Sequence, residues 1–161
     1  MTGTHPDLLK SLPADTAQAV LALAGRFAVP AGAVLFPLGA TAEQLFVIER
    51  GRINLTLPME VYGREEDILV EERSAGQTVG WSALIPPHRF TLKATAQIDT
   101  DLFAFPQGAL QAHLAAHPEV GYQVMTNLAA TVGQRLQVFQ AMWLREMKRG
   151  LERSGATGSR A

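Results

Sequence analysis

Hydrophobic and polar residues follow two different periods along this chain, and the change of period divides it into three parts. Between residues 27 and 106 apolar residues alternate with polar ones, as at Ile53, Leu55 and Leu57, which predicts half-buried strands. Before residue 27 and after residue 106 the apolar positions recur every three to four residues, which predicts helices. The sequence therefore predicts a mainly β domain with flanking helices.

Glycines punctuate the predicted strands at a regular spacing, at positions 39, 51, 63 and 76. Turns about 8–12 residues apart are typical of a small all-β sandwich or roll. Residues 49–52 lie between two alternating runs and are predicted to form a tight hairpin turn. The acidic residues 65–67 beside Gly63 are predicted to lie in a solvated loop.

The flanking segments contain helix signals of different strength. Residues 1–26 are a helical lead-in, with a helix predicted over 17–25 and Asp15 or Thr16 as its cap. Residues 107–116 are predicted to form a short helix, and Pro118 is well placed to begin a longer one. The last residues, 150–161, are small and polar, so this tail is predicted to be disordered. The domain organisation is therefore 1–26, a β domain over 27–106, helices over 107–149, and the tail.

An apolar stripe runs along the long helix for about 30 residues, further than a small domain can cover alone. Its members are Val124, Leu128, Val132, Leu136, Phe139, Trp143 and Met147. A parallel contact between two copies of the chain would bury this stripe, and we predict a homodimer through Leu128, Val132, Leu136, Phe139 and Trp143. Its apolar neighbours Met125, Val138, Met142 and Leu144 also allow the helix to fold back onto the β domain, so we expect both contacts, on different turns.

Composition narrows the range of functions. The 161 residues suffice for one well-buried domain, and the absence of cysteine excludes disulfides and thiol redox sensing. A net charge of −1 with scattered basic residues gives no stripe for nucleic acid, and the basic cluster after residue 144 reads as a solvated helix end. No leader-like segment and no apolar run of about 18 residues is present, so we expect a soluble cytoplasmic protein without membrane contact.

The strongest candidate for chemistry is residues 76–91, GQTVGWSALIPPHRFT, which we call the cassette segment. Gly80 permits close approach of a ligand to the backbone, and the amides of residues 81–84 would open a short helix. Arg89 could add a bidentate charge. The combination predicts an anion site suited to a phosphate.

Two further segments, residues 35–40 (LFPLGA) and 45–53 (LFVIERGRI), precede the cassette segment in an order that resembles a known family. The chain is similar over residues 10–148 to the cyclic nucleotide-binding domains of the bacterial catabolite activator and fumarate-nitrate regulator superfamily. The resemblance implies a β-roll of the jelly-roll (double-stranded β-helix) type, a phosphate-binding cassette at residues 76–91, and a long dimerisation helix. It also implies a cyclic nucleotide, cAMP or cGMP, as ligand.

The resemblance carries ligand-binding roles onto residues of this chain. These residues are Gly80, Trp81, Ser82, Ala83, Leu84, Arg89, Phe90 and Thr91, with Val70 and Glu71 facing the base. The family has a glutamate for the ribose 2′-hydroxyl where this chain has Trp81. An indole N–H donates but accepts nothing, so the missing bond would cost about 1.5–3 kcal/mol, or roughly tenfold to a hundredfold in affinity.

The register at the end of the cassette segment leaves two alternatives for the residue at the phosphate. One alignment puts Arg89 there and the other puts Phe90 there. We prefer Arg89, because a planar guanidinium matches a phosphate. In the alternative interpretation the glycines and Ser82 only form turns, and the pocket binds no ligand.

Other classes of site have weaker support. His113 and His117 are four residues apart, but two imidazoles beside Glu119 fall short of a zinc site, so no metal is predicted. Haem ligation by Met142 or Met147 would make a gas sensor, although methionines at helical spacing are usually core or interface residues. No catalytic motif is present, and the dozen residues after the predicted helix leave no room for a helix-turn-helix, so neither an enzyme nor a direct DNA binder is expected.

The sequence therefore predicts a sensor module in which a cyclic nucleotide or related phosphate ligand moves the long helix. The rival hypothesis is a ligand-free domain that serves as a scaffold for a protein partner, with a haem-based gas sensor as a third possibility. Trp81 is the best support for the scaffold. An Arg89 side chain in solvent, rather than held in the pocket, would also favour it.

Overall fold

A computed structural model describes residues 5–158, which form eight strands and three α-helices. The strands are β1 (Gly25–Val29), β2 (Val34–Phe36), β3 (Gln44–Arg50), β4 (Arg52–Val61), β5 (Arg64–Ser74), β6 (Thr78–Val79), β7 (Lys93–Ala96) and β8 (Thr100–Pro106). The helices are α1 (Ala14–Leu21), α2 (Gln107–Ala116) and α3 (Pro118–Gly158). Short 3-10 helices lie at Asp7–Leu9 and Trp81–Ala83.

The strands form two four-stranded antiparallel sheets, in the orders β1-β8-β3-β6 and β2-β7-β4-β5. This arrangement confirms the predicted β-roll followed by a long helix. Residues 45–48 of β3 are all buried, so this strand is covered on both faces and alternation fails there. The buried apolar residues of both sheets form one cluster with the first turns of α3.

The predicted turns are present, although two segments differ from expectation. Gly39, Gly51, Gly63 and Gly76 all have positive φ, at +83°, +113°, +74° and +83°. The turn at residues 49–52 is not a hairpin, because β3 and β4 belong to different sheets and do not pair. Residues 65–67 were wrongly predicted to be a loop. They lie in β5, exposed but paired with β4, because an edge strand can present charged side chains to solvent.

Gly51 is the turn residue at which a side chain should be most costly. A Cβ there would lie 2.6 Å from the Thr100 Cα and 2.8 Å from the Asp99 carbonyl oxygen, both backbone atoms. We expect Gly51→Ala to lower the free energy of unfolding by about 2 kcal/mol, from left-handed strain and this overlap. Gly39→Ala, which has nothing within 4 Å of the added methyl, should cost only about 1 kcal/mol. Urea denaturation of both variants tests the difference, and equal losses would contradict the steric explanation.

The structure matches some of the predicted helix bounds and differs from others. Both α2 and the start of α3 at Pro118 match their predictions. The first helix was misplaced: α1 covers Ala14–Leu21, after Pro13, and β1 already begins at Gly25. The predicted disordered tail is also wrong up to Gly158, because α3 continues through it. The i,i+4 pair of Lys148 with Glu152, at 3.9 Å, supports the first of these turns, and residues 159–161 lie outside the described residues.

The first half of α3 packs on the roll and the second half leaves it. Val120, Val124 and Leu128 are buried against the core, so Leu128 was wrongly assigned to the dimer stripe. Beyond that point Leu136 is 59% exposed and Trp143 62% exposed. The helix therefore makes contact with its own domain first and presents an apolar face afterwards, as the mixed stripe predicted.

The N-terminal 3-10 helix Asp7–Leu9 joins α3 to the roll. The Asn127 side-chain amide of α3 donates to the carbonyl oxygens of Leu8, at 2.9 Å, and Lys10, at 2.8 Å. The Asp7 amide donates to the Gly76 carbonyl oxygen at 2.8 Å, at the start of the cassette segment. A displacement of α3 would therefore pull on the segment that leads into the candidate site.

Candidate functional site

The cassette segment forms a glycine turn followed by a single 3-10 turn. Gly80 has φ +80°, and the chain then winds through Trp81–Ala83. Within this turn the Ala83 amide donates to the Gly80 carbonyl oxygen and the Leu84 amide to that of Trp81, at 3.2 and 3.1 Å. Of the amides expected to face a ligand, those of Ala83 and Leu84 are thus already used. Three residues also make too short a helix for a strong dipole.

The structure resolves the register of Arg89 and Phe90 against our preference. Arg89 is exposed, and its Nη1 donates outward to the Gly39 carbonyl oxygen at 3.0 Å. Its backbone forms an isolated bridge with Thr41. Because neighbouring residues of an extended chain point to opposite faces, Phe90 then points inward and is buried. Arg89 was therefore the wrong choice for the inward position.

Phe90 fills the space beside the cassette turn. Its ring stacks on that of Phe36, with centroids 3.6 Å apart and planes inclined by 10°. A Cβ at Gly80 would lie 3.0 Å from Phe90 Cε1, so the ring rests directly on the glycine. The cavity that remains measures about 10 Å³, the room of roughly one water molecule. Ligand pockets usually offer about 300–1,000 Å³, so this pocket is closed.

The remaining cassette residues surround this closed pocket. Trp81 is half-buried and packs against the core, and Ser82 is buried with its carbonyl oxygen 3.1 Å from Nδ1 of His88. Both line the cavity, as do Phe90 and Thr91. Ala83 and Leu84 are buried in the core. The predicted residues Gly80, Trp81, Ser82, Phe90 and Thr91 thus line one cavity, whereas the Arg89 side chain lies outside it.

A charge cluster that includes the predicted site residue Glu71 lies behind the cavity, and Arg135 connects the two. Glu71 of β5 accepts a hydrogen bond from Arg73 Nη1 on Oε1, at 2.9 Å, and from Arg135 Nε on Oε2, at 2.5 Å. Val70, the other predicted base-facing residue, is buried beside it. Since Arg135 belongs to α3, this carboxylate links the roll directly to the long helix.

Arg73 and Asp7 complete the cluster toward the N-terminus. Arg73 is 3% exposed and also donates from Nε to the Thr78 carbonyl oxygen, at 3.2 Å, and from Nη2 to Asp7 Oδ2, at 3.3 Å. The Asp7 carboxylate accepts further bonds from the Thr78 amide and hydroxyl. Each nitrogen of Arg73 thus has a partner, and the cluster ties the 3-10 helix Asp7–Leu9, β5 and β6 together.

Arg135 is the functional candidate that sequence reasoning missed. It lines the cavity together with Gly80, Ser82 and Phe90 and is 6% exposed. Burial lowers the pKa of its guanidinium. The Glu71 carboxylate acts in the opposite direction and raises this pKa, and the positive charge of Arg73 lowers it further. A signal was available: Arg135 follows Leu128 by seven residues, so it falls on the buried face of the helix.

The histidines lie outside this pocket. The His113 and His117 rings stack with centroids 4.4 Å apart, and His117 Nδ1 lies 3.0 Å from the His113 carbonyl oxygen. Within residues 5–158 no group of three histidine, cysteine or carboxylate side chains is arranged to hold a metal ion. Met142 packs partly against the core and Met147 is exposed.

Among residues 5–158 no helix is both long and apolar enough to cross a membrane.

Comparison with known families and structures gives a consistent result. The family model described as "Cyclic nucleotide-binding domain" matches residues 26–117. A search of curated protein sequences finds no significant match to this chain. Many solved structures are similar in fold.

Three of these structures show the range of the similarity. A putative cyclic nucleotide-binding protein from Geobacter metallireducens has a TM-score of 0.66 and 23% identity, over 80% of this chain and 91% of that one. The Thermus thermophilus catabolite activator protein has a TM-score of 0.70 and 22% identity, over 88% and 63%. The regulatory domain of Toxoplasma gondii PKA, solved with cAMP, has a TM-score of 0.58 and 20% identity, over 66% and 40%. At these identities the similarity shows the fold.

Proposed function

The chain belongs to the cyclic nucleotide-binding domain family, and from this premise we propose that it is a regulatory sensor module like those of the catabolite activator superfamily. Its input is the pocket between the cassette turn and Arg135, and its output is the position of α3. The ligand that fits the family is a cyclic nucleotide. The Toxoplasma domain of the same fold was solved with cAMP, which supports this class of ligand.

The contact between Glu71 and Arg135 carries this proposal. The two residues are 64 positions apart in sequence, and their side chains meet at 2.5 Å between β5 and α3. A ligand beside Glu71 must either keep Arg135 in place or displace it. Since Arg135 lies on α3, any difference in ligand affinity between two positions of the helix shifts the equilibrium between them.

Titration of the purified chain tests the proposal. We expect cyclic AMP or cyclic GMP to bind with a dissociation constant of roughly micromolar or weaker, because Trp81 replaces the acceptor for the ribose hydroxyl. The pocket must also open, since Phe90 occupies it. Isothermal titration calorimetry with cyclic AMP, cyclic GMP and cyclic di-GMP measures the affinity. Absence of binding to all three would exclude the sensor function.

A second candidate function is supported by the stacked Phe36 and Phe90 rings. An aromatic pair that fills the pocket could hold α3 in one position without a ligand, leaving a scaffold for a protein partner. The exposed Arg89 also favours this alternative. The scaffold hypothesis predicts no nucleotide binding and an unchanged α3, whereas the sensor hypothesis predicts binding that alters hydrogen exchange along α3.

We also propose that α3 forms a homodimer, through a stripe in which Met125 and Ala129 replace the buried Val124 and Leu128. Its members lie at intervals of four, three, four, three, four and four residues: Met125, Ala129, Val132, Leu136, Phe139, Trp143 and Met147. The alternation of four and three as far as residue 143 is the spacing of a two-stranded coiled coil. Val132 and Phe139 are half-buried, and the other five are exposed on the single chain. A different protein helix is the competing occupant.

A further inference from the structure

The buried guanidinium of Arg135 has donors that its own domain does not use. Its Nε donates to Glu71, and no other hydrogen bond of this side chain is found among the described residues. Arg73 differs, because all three of its nitrogens are bonded. The side chain is 6% exposed and its outer nitrogens are not fully enclosed, so water can serve them, and an acceptor that enters the pocket can take the place of that water.

The position of Arg135 indicates where that acceptor belongs. The side chain lines the 10 Å³ cavity with Gly80, Ser82 and Phe90. Behind the cavity, Arg135 shares the carboxylate of Glu71 with Arg73. Asp7 offsets the charge of Arg73 on the far side. Two carboxylates therefore face two guanidinium groups, and the cavity offers an anion the outer edge of the Arg135 guanidinium rather than a net positive charge.

The ring of Phe90 stands where such an anion would bind. It contacts Gly80 and stacks on Phe36, and both it and Arg135 line the same cavity. Arg89 cannot supply the charge from its present position, because it is exposed and bonded to Gly39 on the outside. The cavity therefore has a cation on the helix side and a removable aromatic side chain on the cassette side.

We infer that Arg135, rather than Arg89, is the anion-binding residue of this pocket, and that a nucleotide phosphate reaches it by displacing the Phe90 ring. The outer two nitrogens of the guanidinium match two phosphate oxygens, and Nε keeps its bond to Glu71. The inference rests on the proposed function for its ligand class. It adds that the ligand pulls directly on α3, since the binding charge belongs to that helix.

Four chains test the inference by calorimetry with cyclic AMP and cyclic GMP: the natural chain, Phe90→Ala, Phe90→Ala with Arg135→Gln, and Phe90→Ala with Arg89→Gln. Removing the ring should tighten binding at least about tenfold, because the pocket no longer has to open. Adding Arg135→Gln should then weaken it by about 10- to 100-fold. The matched control, Arg89→Gln, should change the affinity by less than about twofold. Circular dichroism establishes that each variant is folded, and Phe90→Leu serves if Phe90→Ala is not.

The outcomes separate this inference from the proposed function. If the natural chain binds no nucleotide but Phe90→Ala binds in an Arg135-dependent way, the sensor function and the displacement of the ring both fail, and only the assignment of the anion-binding charge to Arg135 stands. If the natural chain binds nucleotide but Phe90→Ala binds equally well with and without Arg135→Gln, the inference is overturned and the sensor function stands. A folded Phe90→Ala that binds neither nucleotide overturns both.

Discussion

Glu71→Gln should lower the free energy of unfolding by about 3–5 kcal/mol, a large part of the stability of a domain this size. The carboxylate is 17% exposed and receives one hydrogen bond from each of two buried arginines, Arg73 and Arg135. Glutamine offers one carbonyl oxygen and an amide group, so one guanidinium would face another donor. Arg73 would keep its pair with Asp7, but Arg135 would be left buried without a counter-ion. Guanidinium chloride denaturation measures the loss.

The adjacent residue provides a matched control. Glu72→Gln makes the same chemical change in the same strand, but Glu72 is well exposed and its pair with Arg52 is 3.4 Å long. Such surface pairs contribute less than about 1 kcal/mol. If the two variants lose equal stability, the buried cluster is not what stabilises the roll against α3. Adding Arg135→Gln to Glu71→Gln should restore part of the loss, because one uncompensated charge disappears.

The order of strands and helices could be predicted from local patterns. Alternation of apolar residues and left-handed glycines depends on neighbouring residues alone, so the roll, α2 and the start of α3 were accessible. Pairing is a long-range property, which is why the turn at residues 49–52 was mistaken for a hairpin although β3 and β4 join different sheets.

The direction of the cassette arginine could not be settled in the same way. A shift of one residue in an extended segment exchanges the inward and outward faces, so Arg89 and Phe90 were equally compatible with their spacing. The structure distinguishes them through partners that are distant in sequence, Gly39 for Arg89 and Phe36 for Phe90. A preference based on chemistry alone chose the arginine and was wrong.

The charge cluster could not be predicted from local patterns either. Asp7, Glu71, Arg73 and Arg135 come from the N-terminal 3-10 helix, a sheet edge and the long helix. Each side chain is unremarkable in its own segment, and only the assembled fold places them together. The sequence could have indicated a buried partner for Arg135, because a charged residue on the buried face of a helix requires one.

Trp143→Glu should dissociate the proposed homodimer. The side chain is 62% exposed on the single chain and stands on the stripe that follows the heptad spacing as far as this residue. A buried tryptophan at the centre of an interface typically contributes about 2–4 kcal/mol, so the dissociation constant should rise by roughly 30- to 1,000-fold. Two facing glutamates would add like-charge repulsion. Sedimentation equilibrium over a range of concentrations measures the constant.

The control introduces the same charge on the other side of α3. Ala141 is exposed and lies two residues from both Phe139 and Trp143, which places it on the opposite face of the helix. Ala141→Glu should therefore leave the association constant within about twofold, because the added charge stays in solvent. If both variants dissociate alike, general charge rather than the stripe controls assembly. If the natural chain is monomeric at all concentrations, the homodimer is excluded. A different protein helix then becomes the expected partner of the exposed stripe.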